Sequence, residues 1–224
     1  MAQTSIETYF DRLADQYDSG TEKSGNRNDA VFSNVVGRIA TGHNYRSLLD
    51  LGVGTGRTVL EAARHLNLTR IVGVDTSAGM LDIATQKLGA AQVPFEAVHQ
   101  PIEDYLNAAT EQFDIVSCVS VLDSAGNHSE IIQGVRERLH QYGVFIFNYI
   151  PVIYGHPNPT FGELESTFHH PSGMEMTCYR QHPQYILRAL GESGLAVIDQ
   201  ELFCPKPEDP SIVVSMMAAI PNSS

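Results

Sequence analysis

Between Ser47 and Tyr149 the chain carries five short, nearly continuous apolar runs, separated by turns and by stretches with helical spacing. The runs predict strands at 48–51, 70–75, 95–99, 113–119 and 143–149, with helices at 57–65, 78–88, 102–109 and 129–139 between them. Strands that are apolar at every position are covered on both faces, which is the condition of a parallel sheet wrapped by helices. Upstream, residues 6–17 place Ile6, Tyr9, Phe10, Leu13 and Tyr17 on one helical face; 18–29 (DSGTEKSGNRND) reads as a loop and 30–40 as a second helix. Downstream the pattern breaks. Residues 151–162 form a Pro/Gly-rich loop, and 166–170 and 174–179 flank Pro171-Ser172-Gly173 as a hairpin. A helix follows to about Ser193, then two strands at 196–203 and 211–220 that pair antiparallel. The expected fold is α/β: a Rossmann-like, doubly wound, mostly parallel sheet ending in an antiparallel strand pair, with a helical N-terminal cap and a small β-hairpin insertion. Residues 1–224 are expected to form a single domain: a cap (1–45), a core (46–150), a covering insertion (151–182) and a C-terminal helix with its strand pair (183–224).

At 224 residues and 42% hydrophobic content, the chain is long enough for one well-buried core. Its 26 acidic against 14 basic residues give a net charge of -12, which argues against nucleic acid and against an anionic membrane surface. Small neutral or cationic ligands fit the balance better. Cys118, Cys178 and Cys204 show no C-x-x-C spacing and read as reduced thiols. No basic, apolar leader opens the chain, and its apolar runs are too short to span a bilayer. A soluble cytoplasmic protein is expected, as a monomer or homodimer.

The stretch LLDLGVGTGR, residues 48–57, places Gly52, Gly54 and Gly56 after a buried strand, so backbone passes close to a ligand or to another element. Arg57 stands where the dinucleotide fingerprint G-x-G-x-x-G has its third glycine, and no Walker-type lysine follows. Asp50 enters the turn and suits positive charge rather than phosphate. Asp75 ends the next strand, where a carboxylate can take both hydroxyls of a ribose. A nicotinamide-dependent oxidoreductase is thereby disfavoured.

With these features in view, the sequence resembles the class I S-adenosylmethionine-dependent methyltransferases. LLDLGVGTGR looks like their first motif, IVGVDTSAGML their second and FDIVSCVSVLDS their fourth; YFDRLADQYD resembles the helix that precedes the core in small-molecule members. The resemblance implies that Asp50, Gly52, Gly54 and Gly56 serve the methionine part of the cofactor. Asp75 would bind the ribose, with Thr76 beside it and Met80 near the adenine. Cys118 and Val119 would line the cleft, and Tyr9 and Tyr17 would close over it. After the third strand, Gln100 stands where an acidic adenine partner is usual, followed by Pro101 and Ile102; Glu103 or Asp104 is the alternative partner. The implied activity is transfer of a methyl group from S-adenosyl-L-methionine to an O, N or C nucleophile of a small-molecule acceptor, leaving S-adenosyl-L-homocysteine. The alternative is a cofactor-binding protein of the same fold with another role, such as a sensor, a cyclase or carboxymethyl chemistry.

Methyl transfer needs alignment of the acceptor and exclusion of water, and needs a base only when the acceptor must lose a proton. His170 and His169, on the expected hairpin, are candidate bases, and Asp123, just past the fourth strand, is a further catalytic candidate. His128, Asn148, Tyr149, His156 and Tyr179 are candidates for orienting the acceptor. No metal site is expected, because the histidines and carboxylates lack a recognised ligand spacing.

Overall fold

The computed structural model describes residues 5–23, 25–152, 163–169, 175–206 and 212–222. Two helices open the chain, α1 (Ile6–Lys23) and α2 (Asn28–Ile39). The alternating core follows as β1 (Ser47–Leu51), α3 (Arg57–His65), β2 (Arg70–Asp75), α4 (Ala78–Ala90), β3 (Glu96–His99), α5 (Ile102–Ala108), β4 (Phe113–Cys118), α6 (His128–Arg138) and β5 (Leu139–Tyr149). A hairpin of β6 (Glu163–His169) and β7 (Glu175–Gln181), then α7 (Pro183–Glu192), β8 (Leu195–Phe203) and β9 (Val214–Pro221), complete the order.

Seven strands form one sheet in the order β3-β2-β1-β4-β5-β9-β8, while β6 and β7 pair separately. The pairs from β3 to β5 are parallel, and β9 runs antiparallel to both β5 and β8. Winding reverses direction between β1 and β4, and ligands of open α/β sheets sit outside the strand ends at such a switch point.

The sheet is covered on both faces, and β5 shows how. Phe145, Phe147 and Tyr149 pack on the face covered by α5, α6 and α7, whereas Val144 and Ile146 pack against α2, α3 and α4. This is the two-residue alternation of a strand with apolar groups on either side. Phe145 and Phe147 stack at 4.5 Å between centroids.

Two boundaries differ most from the sequence reading. α1 continues through the polar stretch to Lys23, because its polar side chains find partners: Asp18 meets Lys87 and Thr55, and the Thr21 hydroxyl donates to the Tyr17 carbonyl at 2.8 Å. β5 begins at Leu139, where the helix was expected to end. Phe113 pairs with Leu139 but Ile115 with Val144, so β5 bulges at this end. Gly143 lets the bulge close, since a Cβ there would stand 3.0 Å from the carbonyl oxygens of Phe113 and Asp114.

Phe145 is fully buried in the middle of the sheet. Phe145→Ala is expected to cost about 3–5 kcal/mol, combining lost burial with an unfilled cavity. Urea unfolding checks this, and a loss below about 1 kcal/mol would contradict the packing described.

Candidate functional site

A cavity of about 380 Å³ opens at the switch point. Its floor is the glycine turn. Gly52 has φ +70, and a Cβ there would stand 2.2 Å from Val121 Cγ2, so only glycine lets the turn pass under the β4 exit. Gly54, at φ +53, borders the cavity, and a Cβ on it would meet nothing within 4 Å. Backbone is therefore presented to open space. The amides of Gly52 and Val53 both donate to the Val74 carbonyl, at 2.8 and 3.1 Å, and fold the turn back onto the end of β2.

Asp75 lies at that end and borders the cavity. Its Oδ2 accepts from the Gly54 amide at 2.8 Å and its Oδ1 from the Ser77 amide at 2.9 Å. Burial pushes the carboxyl upward, against the backbone amides of Ser77, Gly54 and Thr76. Thr76 and Met80 continue the wall, with the Thr76 carbonyl 2.9 Å from His99 Nε2. Across from them stand Ile102 and Glu103 of α5, and Val119 of the β4 exit. Helix α1 contributes Ile6, Phe10 and Tyr17, the β4–α6 loop Val121 and Ser124–Gly126, and β7 Tyr179. Tyr17 is pushed up to about 12 by burial and by Asp123 and Asp29, so its phenol is a donor at neutral pH.

Next to the turn, a side chamber of about 50 Å³ shares Tyr17, Gly52, Gly54, Val119 and Ser120 with the main cavity. Asn28, Thr55 and Arg57 line it as well. Asn28 donates from Nδ2 to Ser120 Oγ at 2.7 Å, while its Oδ1 is buried and accepts no hydrogen bond. Arg57 reaches Asp29 at 2.5 Å and Asp18 at 3.6 Å, tying both N-terminal helices to the turn. Thr55 donates to Asp18 at 2.6 Å, and Lys87 pairs with the same carboxylate. At its other end α1 is held by Asp11, whose Oδ1 accepts from the Ser77 hydroxyl at 2.5 Å and the Gly79 amide at 3.1 Å.

Ten residues singled out in the sequence converge here: Tyr17, Gly52, Gly54, Asp75, Thr76, Met80, Ile102, Glu103, Val119 and Tyr179. Others lie elsewhere. Tyr9 is buried on α1 and does not line the cavity, where Phe10, edge-on to it at 5.2 Å, stands instead. Gly56 caps α3 and packs on Leu88, away from the opening. Gln100 contributes its amide to the Asp75 carbonyl (3.1 Å), Pro101 caps α5, and neither lines the cavity. Cys118 is fully buried, packed toward α5 and α6, and burial raises its thiol well above the usual range.

Three expected acceptor residues hold structure together rather than border the cavity. His128 is fully buried, with Nε2 donating to the Leu122 carbonyl at 2.5 Å and its ring edge-on to Tyr179 and Tyr185. Tyr149 packs in the core beside Phe147. Asn148 is buried, and its Oδ1 accepts from the Ser120 amide at 2.6 Å.

Asp123 lies behind the lining. Its carbonyl accepts from the Tyr179 amide at 2.8 Å, and its carboxyl is raised by burial, its own amide opposing. Cys178, pushed up to about 11 by burial and Asp123, stays a neutral thiol. His169 pairs through its backbone with Glu175, and His156 and His170 lie outside the described residues. Among residues the sequence reading passed over, Phe10 was marked by the α1 stripe. Ser120 and Asn28 carry no sequence signal, since a left-handed serine and an unpaired amide oxygen are visible only in three dimensions.

Asp50 lies beneath the turn rather than in the cavity, 1% exposed. Thr58 donates to it at 2.5 Å and Ser117 at 2.7 Å. Burial pushes its carboxyl up to about 6 from the ordinary 3.8, opposed by those two hydroxyls. The folded protein therefore binds this proton more tightly than the unfolded chain, and stability rises as pH falls from about 6 towards 4. In ligand-free urea unfolding, wild type should gain about 2 kcal/mol relative to Asp50→Asn between pH 7.5 and 4.5, from the linkage of a shift this size. A difference that stays flat across that range would show that Asp50 does not titrate there.

Residues 48–143 match a family model described as a methyltransferase domain. The chain is 24% identical to a ubiquinone biosynthesis O-methyltransferase of Actinobacillus pleuropneumoniae, over 66% of its own length and 64% of that protein's. It is 28% identical to a demethylmenaquinone methyltransferase of Deinococcus radiodurans, over 59% of the chain and 54% of the relative. The matched segment thus spans less than two thirds of either relative. The CcbJ methyltransferase from Streptomyces caelestis superposes with a TM-score of 0.68 at 20% identity, over 98% of this chain and 100% of the other. Residues 48–143 are thus similar to a methyltransferase domain, and the whole chain shares its fold with the CcbJ methyltransferase.

Proposed function

We propose that the chain transfers a methyl group from S-adenosyl-L-methionine to a small-molecule acceptor, leaving S-adenosyl-L-homocysteine. The observation that carries this reading is the presentation of Gly54 backbone and the Asp75 carboxylate to one cavity that Met80 and Ile102 also line. The residues fit the cofactor piece by piece. Asp75 can accept from the ribose hydroxyls while keeping the Gly54 amide. Met80 and Ile102 offer apolar contact to the adenine faces, and Glu103, which borders the cavity where Gln100 does not, can accept from the adenine amino group. The side chamber suits the amino-acid end, because the buried Asn28 Oδ1 is an acceptor awaiting a donor such as an ammonium.

When bound, the cofactor supplies an activated methyl group on a sulfonium; the protein's part is to align the acceptor and exclude water. Ile6, Phe10, the 124–126 loop and Tyr179 would enclose an acceptor on the side away from the glycine turn. The acceptor's lone pair would form the new bond to the methyl carbon as the carbon–sulfur bond breaks, and the sulfur leaves neutral. Where the acceptor must also lose a proton, His170 and His169 are the candidate bases, with Asp123 and His156 as further candidates. Oxygen, nitrogen and carbon acceptors share this scaffold, and the relatives' names point toward quinone-type rings. Among the described residues, no helix is long and apolar enough to cross a membrane. We place the protein in the cytoplasm as a single-domain monomer or homodimer, without nucleic-acid or membrane partners, with 151–182 covering the acceptor.

Calorimetry with S-adenosyl-L-homocysteine and NAD tests the cofactor, and labelled S-adenosyl-L-methionine with a panel of phenols, quinols and amines tests the transfer. Asp75→Ala should weaken S-adenosyl-L-homocysteine at least tenfold, as expected for loss of charge-assisted hydrogen bonds. Unchanged affinity would remove Asp75 from the ribose. Binding without labelled product from any acceptor would favour the sensor or cyclase reading.

A further inference from the structure

Ser120 is one of two non-glycine residues with positive φ among those described, at +59°. It stands just past β4 and borders both the main cavity and the side chamber. L-residues avoid this conformation unless their surroundings impose it, and such residues gather at functional sites. Here the surroundings are two amides from distant parts of the chain. Asn148, at the end of β5, takes the Ser120 N–H on its Oδ1 at 2.6 Å, while Asn28 of α2 donates to Ser120 Oγ at 2.7 Å. Glycine would adopt the turn without help but would leave Asn28 Nδ2 with no hydroxyl to meet.

We propose that Asn148 is a positioning residue for the cofactor's amino-acid end, acting through Ser120. Its amide oxygen fixes the Ser120 backbone in the left-handed turn. The turn directs the Ser120 hydroxyl at Asn28, and that bond fixes the Asn28 side chain, whose Oδ1 is unpartnered, in the lining of the chamber. Asn148 itself is buried and touches neither cavity, so its effect on binding must pass through Ser120. The inference rests on the cofactor reading given above.

A double-mutant cycle tests it, read as the Kd for S-adenosyl-L-homocysteine beside the thermal midpoint of the ligand-free protein. Asn148→Ala should weaken binding at least tenfold. In a Ser120→Gly background, where the turn forms unaided, the same change should weaken it less than threefold. Both Asn148→Ala proteins should lose thermal stability to a similar degree, so the disappearance of the Asn148 effect on affinity once the Ser120 hydroxyl is gone separates positioning from general support. Ser120→Ala, which keeps the backbone bond and removes the hydroxyl that links to Asn28, should weaken binding about as much as Asn148→Ala. It also serves as the readout should Asn148→Ala fail to fold. Equal losses in both backgrounds, or full affinity in Asn148→Ala and Ser120→Ala, would overturn the inference while leaving the cofactor reading intact. Absence of binding by the wild type would overturn that reading and this inference with it.

Discussion

The Gly54 amide donates to the Asp75 carboxylate, and the site is arranged around that one bond. It joins the turn after β1 to the end of β2, so two neighbouring strands of a parallel sheet present backbone and carboxylate to the same space. The bond needs a turn that folds back sharply, and the turn can do so only because Gly52 leaves room for Val121. Sheet order adds the rest. Winding reverses between β1 and β4, so the loop after β4 swings away and leaves an opening instead of a packed seam.

Over this opening lies a cap held by polar contacts. Asp11 ties the start of α1 to the first turn of α4. Asp18 ties its later turns to Thr55 and Lys87, and Arg57 joins α1, α2 and the glycine turn. Isolated surface ion pairs contribute about 0–1 kcal/mol each, so no single one of these would hold a helix. Their arrangement matters more: partly buried, sharing partners, and placed at both ends of α1. Arg57, which in the sequence breaks the dinucleotide fingerprint, has a purpose in the cap.

The core strands and helices were legible because their signal is local. Five apolar runs with helical spacing between them leave few alternatives, and the antiparallel end followed from two strands joined by a short Pro-rich loop. Asp75 was reachable because it ends the strand that follows the glycine turn, and Met80 and Ile102 because the resemblance to a known family marked them. What failed to show was set by distant parts of the chain. Residues 18–23 look like loop until Thr55 and Lys87 are brought beside Asp18. His128 and Asn148 have the composition of ligand-binding residues, yet one staples a loop carbonyl and the other holds a backbone amide. Polar side chains satisfy buried backbone as readily as they bind ligands, and residue type alone does not separate the two uses.

The pair of buried carboxylates under and beside the turn gives the site a rhythm of its own. Asp50 and Asp75 are both pushed toward their neutral forms, chiefly by burial, and Asp75 adds to the cost of ionising Asp50 as Asp11 adds to that of Asp75. A ligand arriving with a positive charge relieves that tension. A ligand without that charge leaves it in place, so if the chain transfers a methyl group as proposed, the carboxylates favour the charged ligand over the neutral one left after transfer.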